Sequence, residues 1–284
     1  MGNKNQGRVL ISSNWLRDVL SRPLSASISL TLYLSLTAFF LLTASCNKTE
    51  MENYGATIQP YQNYLSLQPG ELSYYRLDST VVAPFGASLL LHRYLVKDSV
   101  GKMTITDTDT SFSVYRFMTD TLLQQPWVYS STYRMILRKN TAERIDEQNR
   151  RFIILASPVK EDYNWEGNRY FSSDINPGDF YYGWVYTYHM DSDLSAVKST
   201  IGATDLLSVD QVDITNGNPG DFDPSLFQEI IYAREVYGRA VGLVQKTVTH
   251  ITYQANQSNP NAFGYYQQES FRFQLTRIKS PTEY

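Results

Sequence analysis

Five aromatic side chains, Phe180, Tyr182, Trp184, Tyr186 and Tyr188, recur at every second position between residues 180 and 188. In an extended strand that period puts all five on one face. Such a row can stack on the apolar face of a sugar ring while the tyrosine hydroxyls hydrogen-bond, so Tyr182, Trp184, Tyr186 and Tyr188 are the candidate ligand-binding residues. The same row would equally serve as the core face of a curved sheet or as a cross-strand aromatic ladder. Asp213, Asn216, Asn218, Asp221 and Asp223 offer hard oxygen donors at short spacing, the type that calcium takes. They lack the order and the closing glutamate of an EF-hand loop. Turn formation alone accounts for Asn, Asp, Gly and Pro in such a stretch.

Other catalytic signatures are missing. His92, His189 and His250 each stand alone, without a second histidine or a carboxylate at a ligand spacing. There is no Gly-x-Ser-x-Gly elbow and no phosphate-binding loop. Acid pairs such as Glu161-Asp162 occur, but a glycosidase needs two carboxylates across a cleft, which a sequence does not display. The expectation is therefore a protein that is not an enzyme and carries no cofactor or metal. A hydrolase and a calcium loop are the alternatives.

The N-terminal residues read as an address. Lys4, Arg8, Arg17 and Arg22 stand against one acid, Asp18, and are followed by an uncharged run from Ile28 to Leu42. That is the pattern of a secretory signal, and the run is short for a membrane span. It ends in Leu42-Thr43-Ala44-Ser45-Cys46. Small residues before a cysteine, behind an apolar stretch, resemble the lipobox of bacterial lipoproteins. The usual leucine three places before the cysteine is here Thr43, with Leu42 one place further back. The resemblance implies cleavage before Cys46 and lipidation of its thiol. More than one acyl chain would anchor the protein stably to a membrane. The expected organisation is a signal peptide over 1–45, a flexible tether over 46–58 and an antiparallel β domain over 59–284. Cys46 is the only cysteine, so no disulfide framework and no cysteine catalysis is open to the mature chain. Loss of residues 1–45 moves the net charge from −3 to −6. An acidic body argues against nucleic acid as a partner.

The body alternates and punctuates like a β protein. The full chain has 14% aromatic residues and only 19% charged, which excludes a disordered chain. Runs over Leu72–Val82, Leu89–Val96, 112–118, 127–137, Phe152–Val159, Phe180–Met190, 209–214, Gly242–Tyr253 and Phe263–Ile278 read as strands. The stretch 141–151 reads as an exposed strand or a short helix. Asp223-Pro224 reads as a helix cap, with Leu226, Phe227, Ile230 and Ile231 on one face of a short helix. No repeat of 20 to 50 residues is present, and no strand–helix alternation. The expected fold is all-β: a single antiparallel domain, a curved open or half barrel or a barrel, with at most one or two short helices. A β-sandwich is the alternative.

Four blocks resemble a family of uncharacterised Bacteroidota-type lipoproteins. They are Tyr94–Val100 with Tyr115-Arg116, Arg151–Lys160, Trp165-Glu166-Gly167-Asn168 and Glu235–Val244. In that family a glycine tends to stand near Ala240. The resemblance implies an exported, lipid-anchored, all-β envelope protein, most readily at the outer membrane, and implies no chemistry. Its partners would be the membrane, through lipid on Cys46, and an envelope protein or a glycan. Two roles are open besides a hydrolase: a structural or interaction role, and a module that binds a glycan or an apolar ligand.

Overall fold

The structure, a computed structural model, describes residues 60–172, 179–190, 202, 205–216, 225–256, 258 and 262–281. All belong to the unit Gly55–Tyr284. The expected signal peptide, the tether, Cys46, Asn218, Asp221 and Asp223 lie outside the described residues. The strands are β1 (Leu72–Val82), β2 (Leu89–Ile105), β3 (Thr110–Asp120), β4 (Val128–Leu137), β5 (Thr141–Ile145), β6 (Arg151–Ala156), β7 (Asn164–Trp165), β8 (Tyr186–His189), β9 (Leu206–Asn216), β10 (Gln228–Gly238), β11 (Gly242–Gln254), β12 (Tyr265–Tyr266) and β13 (Phe271–Ile278). Among the described residues there is no α-helix, only two 3₁₀ turns.

All pairings are antiparallel and belong to one sheet, ordered β6-β5-β4-β3-β2-β1-β13-β11-β10-β9-β8-β7, with β12 paired to β11. The sheet curls into a nearly closed barrel. Each half is a run of neighbouring hairpins. The halves join where β1 pairs β13 over eight residues, Tyr74 opposite Ile278 through Val81 opposite Phe271.

The other join, between β6 and β7–β8, is made differently. Ile153 N–H donates to the Gly167 carbonyl at 2.8 Å, and Trp165 Nε1 donates to the Ile153 carbonyl at 2.8 Å. The Tyr188 hydroxyl accepts from Ala156 N–H and donates to Ala156 C=O, both at 2.7 Å. One tyrosine thus satisfies both backbone groups of a buried residue, as a neighbouring strand would. Gly167 is required at this join: a Cβ there would lie 2.5 Å from the Tyr186 ring.

One end of the barrel is plugged by the chain before β1. The 3₁₀ turn Tyr61–Tyr64 inserts two fully buried tyrosines. Tyr61 hydrogen-bonds to the Arg138 carbonyl in the β4–β5 turn, and Ala240 N–H in the β10–β11 turn donates to Asn63 C=O at 2.7 Å. Ala240 sits at φ +57, a left-handed conformation that glycine adopts without cost.

Several expectations fail. The run Phe263–Ile278 is not one strand but β12 and β13, parted by a turn in which Ser270 N–H donates to the Gln267 carbonyl. The stretch 141–151 is not an exposed strand or helix: β5 ends at Ile145 and buries Ala142 and Glu143. The run Phe180–Met190 is not one strand. Asp179 accepts from Tyr181 N–H and Tyr182 N–H, Gly183 takes φ +76, and β8 begins only at Tyr186. The 226–231 helix is absent: Ile230 and Ile231 lie in β10, hydrogen-bonded to β9 on one side and β11 on the other. Pairing on both edges overrides a weak helical pattern. Finally, β2 does not stop at Val96 but continues to Ile105, with a register shift between Val100 and Met103.

Replacing Tyr188 by Phe keeps the ring and removes both seam bonds. Leaving the buried Ala156 N–H and C=O unpaired costs roughly 1–3 kcal/mol. Thermal unfolding monitored by circular dichroism should show a clear drop in Tm. An unchanged Tm would mean that this hydroxyl does not hold the seam.

Candidate binding cavity

Inside the barrel is a cavity of about 410 Å³. Its wall is built by the inward positions of β1 to β6, β9, β10, β11 and β13, together with Trp184 and Tyr186. Leu65 and Leu67, next to the plug, reach it as well. The exposed lining residues are Ser130 and Glu147, at the rim opposite the plug, at the start of β4 and in the β5–β6 turn.

Much of the wall is aliphatic, including Val96, Val114, Met118, Ile154, Val248 and Leu275. Charged groups interrupt it. Arg116 grips Asp98 with two hydrogen bonds, 2.8 and 2.7 Å, and Tyr133 donates to the same carboxylate at 3.0 Å. Asp98 lies directly opposite Arg116 in the β2–β3 register. Arg150 pairs with Asp146 at 2.7 Å nearer the rim.

The deepest group is Glu235, fully buried on β10. It accepts from Lys246 Nζ at 2.8 Å, its register partner on β11. It also accepts from Arg144 Nη1 at 3.0 Å, which reaches it from β5, seven places away along the sheet. The Tyr237 hydroxyl donates to its other oxygen. Burial by itself would raise the Glu235 carboxyl. Arg144 and Lys246, helped by the hydrogen bonds, overcome that and hold it far below the usual carboxylate range. Burial pulls the Lys246 ammonium down to about 8; Arg144 adds to the shift, and Glu235 opposes it. Burial, and then Glu235, push the Tyr186 and Tyr237 hydroxyls well above their ordinary value.

Arg277 on β13 differs from the other cations. Its Nη1 donates to Ser73 Oγ at 2.9 Å and to the Val241 carbonyl at 3.0 Å. Among the described residues it has no carboxylate within ion-pair distance. Gln211 also enters the wall for a structural reason. It is the extra residue of a β-bulge, between Asp210 and Val212, which pair with consecutive residues of β10. Bulges re-aim side chains, and Gln211 is only 2% exposed.

The candidate aromatic residues separate. Trp184 and Tyr186 line the cavity, Tyr188 is used in the seam, and Tyr182 is 52% exposed on a turn. Tyr186 donates to Asn168 Oδ1 at 2.8 Å, and Asn168 Nδ2 donates to the Tyr181 carbonyl at 2.7 Å. That explains the Trp165–Asn168 block: it carries the seam and orients the cavity wall. In the proposed calcium set, Asp213 is exposed on β9 and Asn216 ends that strand. His189 meets carboxylates only in three dimensions: Glu161 Oε1 at 3.2 Å, Asp162 Oδ1 at 3.7 Å and Asp210 Oδ2 at 3.4 Å. These are exposed contacts, and Glu161 already accepts from Met190 N–H. His92 is exposed on β2, and His250 packs its ring on Phe180 at 4.7 Å. Outside the barrel, Lys97 lies over Phe117 and Trp127 at 4.9 and 4.8 Å, so it occupies the ring faces that a sugar would use.

Asp98, Arg116, Arg144, Glu235, Lys246 and Arg277 were not expected as site residues. A signal was a charge at an inward position of an otherwise apolar period-two row, as in Val96-x-Asp98-x-Val100.

No protein-family description and no curated protein matches the chain. Solved structures that resemble it in trace include these two. One is a Bacteroides fragilis protein described as exported, with a YmcC-like fold: 10% identity, 76% of this chain and 99% of that one, TM-score 0.28. The other is DynF of the dynemicin biosynthesis pathway of Micromonospora chersina: 9% identity, 81% and 89% coverage, TM-score 0.21. Scores this low support no statement about fold or role.

The charge cluster sets a pH signature. Glu235 is depressed in the fold, so its stabilisation is complete above its unfolded pKa, near 4.5, and is lost as pH falls below that. Lys246 is also depressed, from 10.5 to about 8. The folded state therefore releases this proton first, and stability rises with pH from 8 upward. Urea midpoints should increase between about pH 7.5 and 9, below the range in which unfolded tyrosines ionise, and Lys246→Met should flatten that rise. A wild-type midpoint that falls across this window would contradict the assignment. Glu235→Ala leaves two buried cations without their carboxylate and should cost about 3–5 kcal/mol.

Proposed function

We propose that this chain is an exported, lipid-anchored envelope protein that holds a small, largely apolar molecule inside its β-barrel. One observation supports the ligand-binding part: the barrel is hollow rather than filled. Small barrels ordinarily pack their interior with side chains or hold one small ligand. A cavity of about 410 Å³ falls at the lower end of the about 300–1,000 Å³ typical of ligand sites. Its wall has the mixture such sites use, apolar surface with a few fixed polar groups. This favours a carrier or sensor over a purely structural role. On this reading the ligand lies against Trp184 and Tyr186 inside the barrel rather than on an open aromatic platform. No pair of carboxylates facing each other across the cavity without cationic partners occurs among the described residues, so a hydrolase gains nothing.

The anchored location rests on sequence: the signal-like N-terminus, Cys46 in its lipobox setting and the resemblance to Bacteroidota-type lipoproteins, with the outer membrane as the compartment. Among the described residues no helix is long and apolar enough to cross a membrane. On the sequence reading, a lipid on Cys46 is the attachment.

Two experiments test the two parts. Membrane fractionation of cells expressing Cys46→Ser should find the protein released, with the wild type retained; retention of both would remove the lipid anchor. Separately, calorimetric titration of detergent-free Cys46→Ser protein with dodecanol should show saturable one-to-one binding. Ser131→Trp places a large ring at an inward, half-buried cavity position and should abolish that binding while the protein stays folded by circular dichroism. Undiminished binding by this variant would put the ligand elsewhere.

A further inference from the structure

Among the described residues the interior of the barrel is not electrically balanced. Asp98 neutralises Arg116, and Asp146 neutralises Arg150. Glu235 serves two cations, Arg144 and Lys246, which leaves one positive charge over. Arg277 has no carboxylate at ion-pair distance among the described residues, which leaves a second. Asp98 is opposite Ser73, the partner of Arg277, but both of its oxygens are engaged by Arg116 and Tyr133. The remaining acid of the wall, Glu147, is exposed at the rim. Unpaired charge in a low-dielectric interior is costly. Here the cost is concentrated at two side chains that face the same cavity.

Those two side chains are also neighbours. Lys246 pairs with Leu275 across the β11–β13 ladder, and Arg277 is the next inward position of β13. Such diagonal neighbours have Cα atoms about 7–8 Å apart, within joint reach of long side chains. Arg277 uses only Nη1 in its described hydrogen bonds, so Nε and Nη2 remain as donors in the planar fork that suits a carboxylate. Beyond this pair the wall is aliphatic, through Val96, Met118, Val248 and Leu275.

We infer that the occupant is an anionic amphiphile: one acyl chain bearing one acid head, the head bound between Arg277 and Lys246 and the chain lying along the aliphatic wall. This deepens the cavity-binding reading above and rests on it. The acid head supplies one of the two missing negative charges, and the chain covers the apolar wall. Around Lys246 the facing charged and titratable groups are Glu235 and Tyr237 from β10, Arg144 from β5 and Arg116 from β3. On the β13 side lie Arg277 and the Phe273 ring, 5.9 Å away. Burial, with Arg144, draws the Lys246 ammonium down to about 8, so an acid head should be held less tightly as pH rises past that point. A neutral head should not respond.

The test compares dodecanoate with dodecanol, the same chain with and without charge, by calorimetry on detergent-free Cys46→Ser protein. At pH 7 dodecanoate should bind at least ten-fold more tightly. Arg277→Gln should shrink that advantage to about three-fold or less, with dodecanol affinity unchanged. In the protein with Arg277 intact the advantage should also narrow between pH 7 and pH 9.5. This second readout needs no substitution at the site and holds even if Arg277→Gln fails to fold. Equal affinities for both probes at pH 7, with no pH response, would overturn the anionic ligand and leave the cavity reading standing. Binding of neither probe would overturn both.

Discussion

A hollow barrel has to be held open from within, and here that is done by one buried carboxylate. Glu235 comes from β10 and is met by Lys246 on the neighbouring strand and by Arg144 from β5. The Arg144 contact crosses the interior and ties together strands that share no backbone hydrogen bond. Aliphatic side chains filling the same space would close it. A long cation reaching a carboxylate fixes the separation of the walls and leaves room on either side. Removing Glu235 from water costs several kcal/mol, and its partners offset this only because every oxygen is engaged. Tyr237 completes the set. The remaining internal charges follow the same logic: Asp98 is saturated by Arg116 and Tyr133. Against that background the incomplete pairing of Arg277 stands out.

The barrel is closed by two unlike joins. Between β1 and β13 it is a ladder of eight register pairs. Between β6 and β7–β8 it is a set of side-chain hydroxyl and indole bonds to backbone, with one direct amide bond. β7 and β8 are short, two and four residues, so side chains supply what strand length does not. This is why aromatic residues crowd the stretch from Tyr163 to Tyr188, where Trp165 and Tyr188 rings lie 4.5 Å apart. Each has an apolar body to bury and one polar atom to offer.

How much of this was legible in sequence differs from element to element. The boundaries of β1 could be read directly, because Pro69-Gly70 and Pro84 bracket an alternating run. The all-β class follows from strand spacing and the absence of helical periods, which leave a sandwich open beside the barrel. The aromatic period from Phe180 to Tyr188 implied one face for all five rings, but Tyr182 is exposed on a turn and only Trp184, Tyr186 and Tyr188 are buried. Gly183 interrupts the extension while leaving Trp184, Tyr186 and Tyr188 in phase. The helix expected at 226–231 failed because a short apolar cluster has no decisive period, and the edges of β9 and β11 were available to Ile230 and Ile231. The cavity itself was beyond reach. Whether an inward charge meets a partner depends on register and on which walls face each other. The Arg144–Glu235 contact spans 91 positions of sequence.

The order of the strands has a consequence for how the molecule is made. A chain that emerges from its N-terminus completes β1 to β6 as consecutive hairpins, all local and quickly formed. The edge that β1 leaves open stays open until β13, the last strand, arrives some two hundred residues later. During that interval a row of unpaired backbone amides and carbonyls is exposed, which is a template for pairing with another chain. Arg76 and Asp78 project charge along this edge and pair with each other and with Arg93, and charge on an edge strand is a recognised guard against such association. The half-made protein is thus at its most vulnerable along β1, where the finished barrel is most firmly joined.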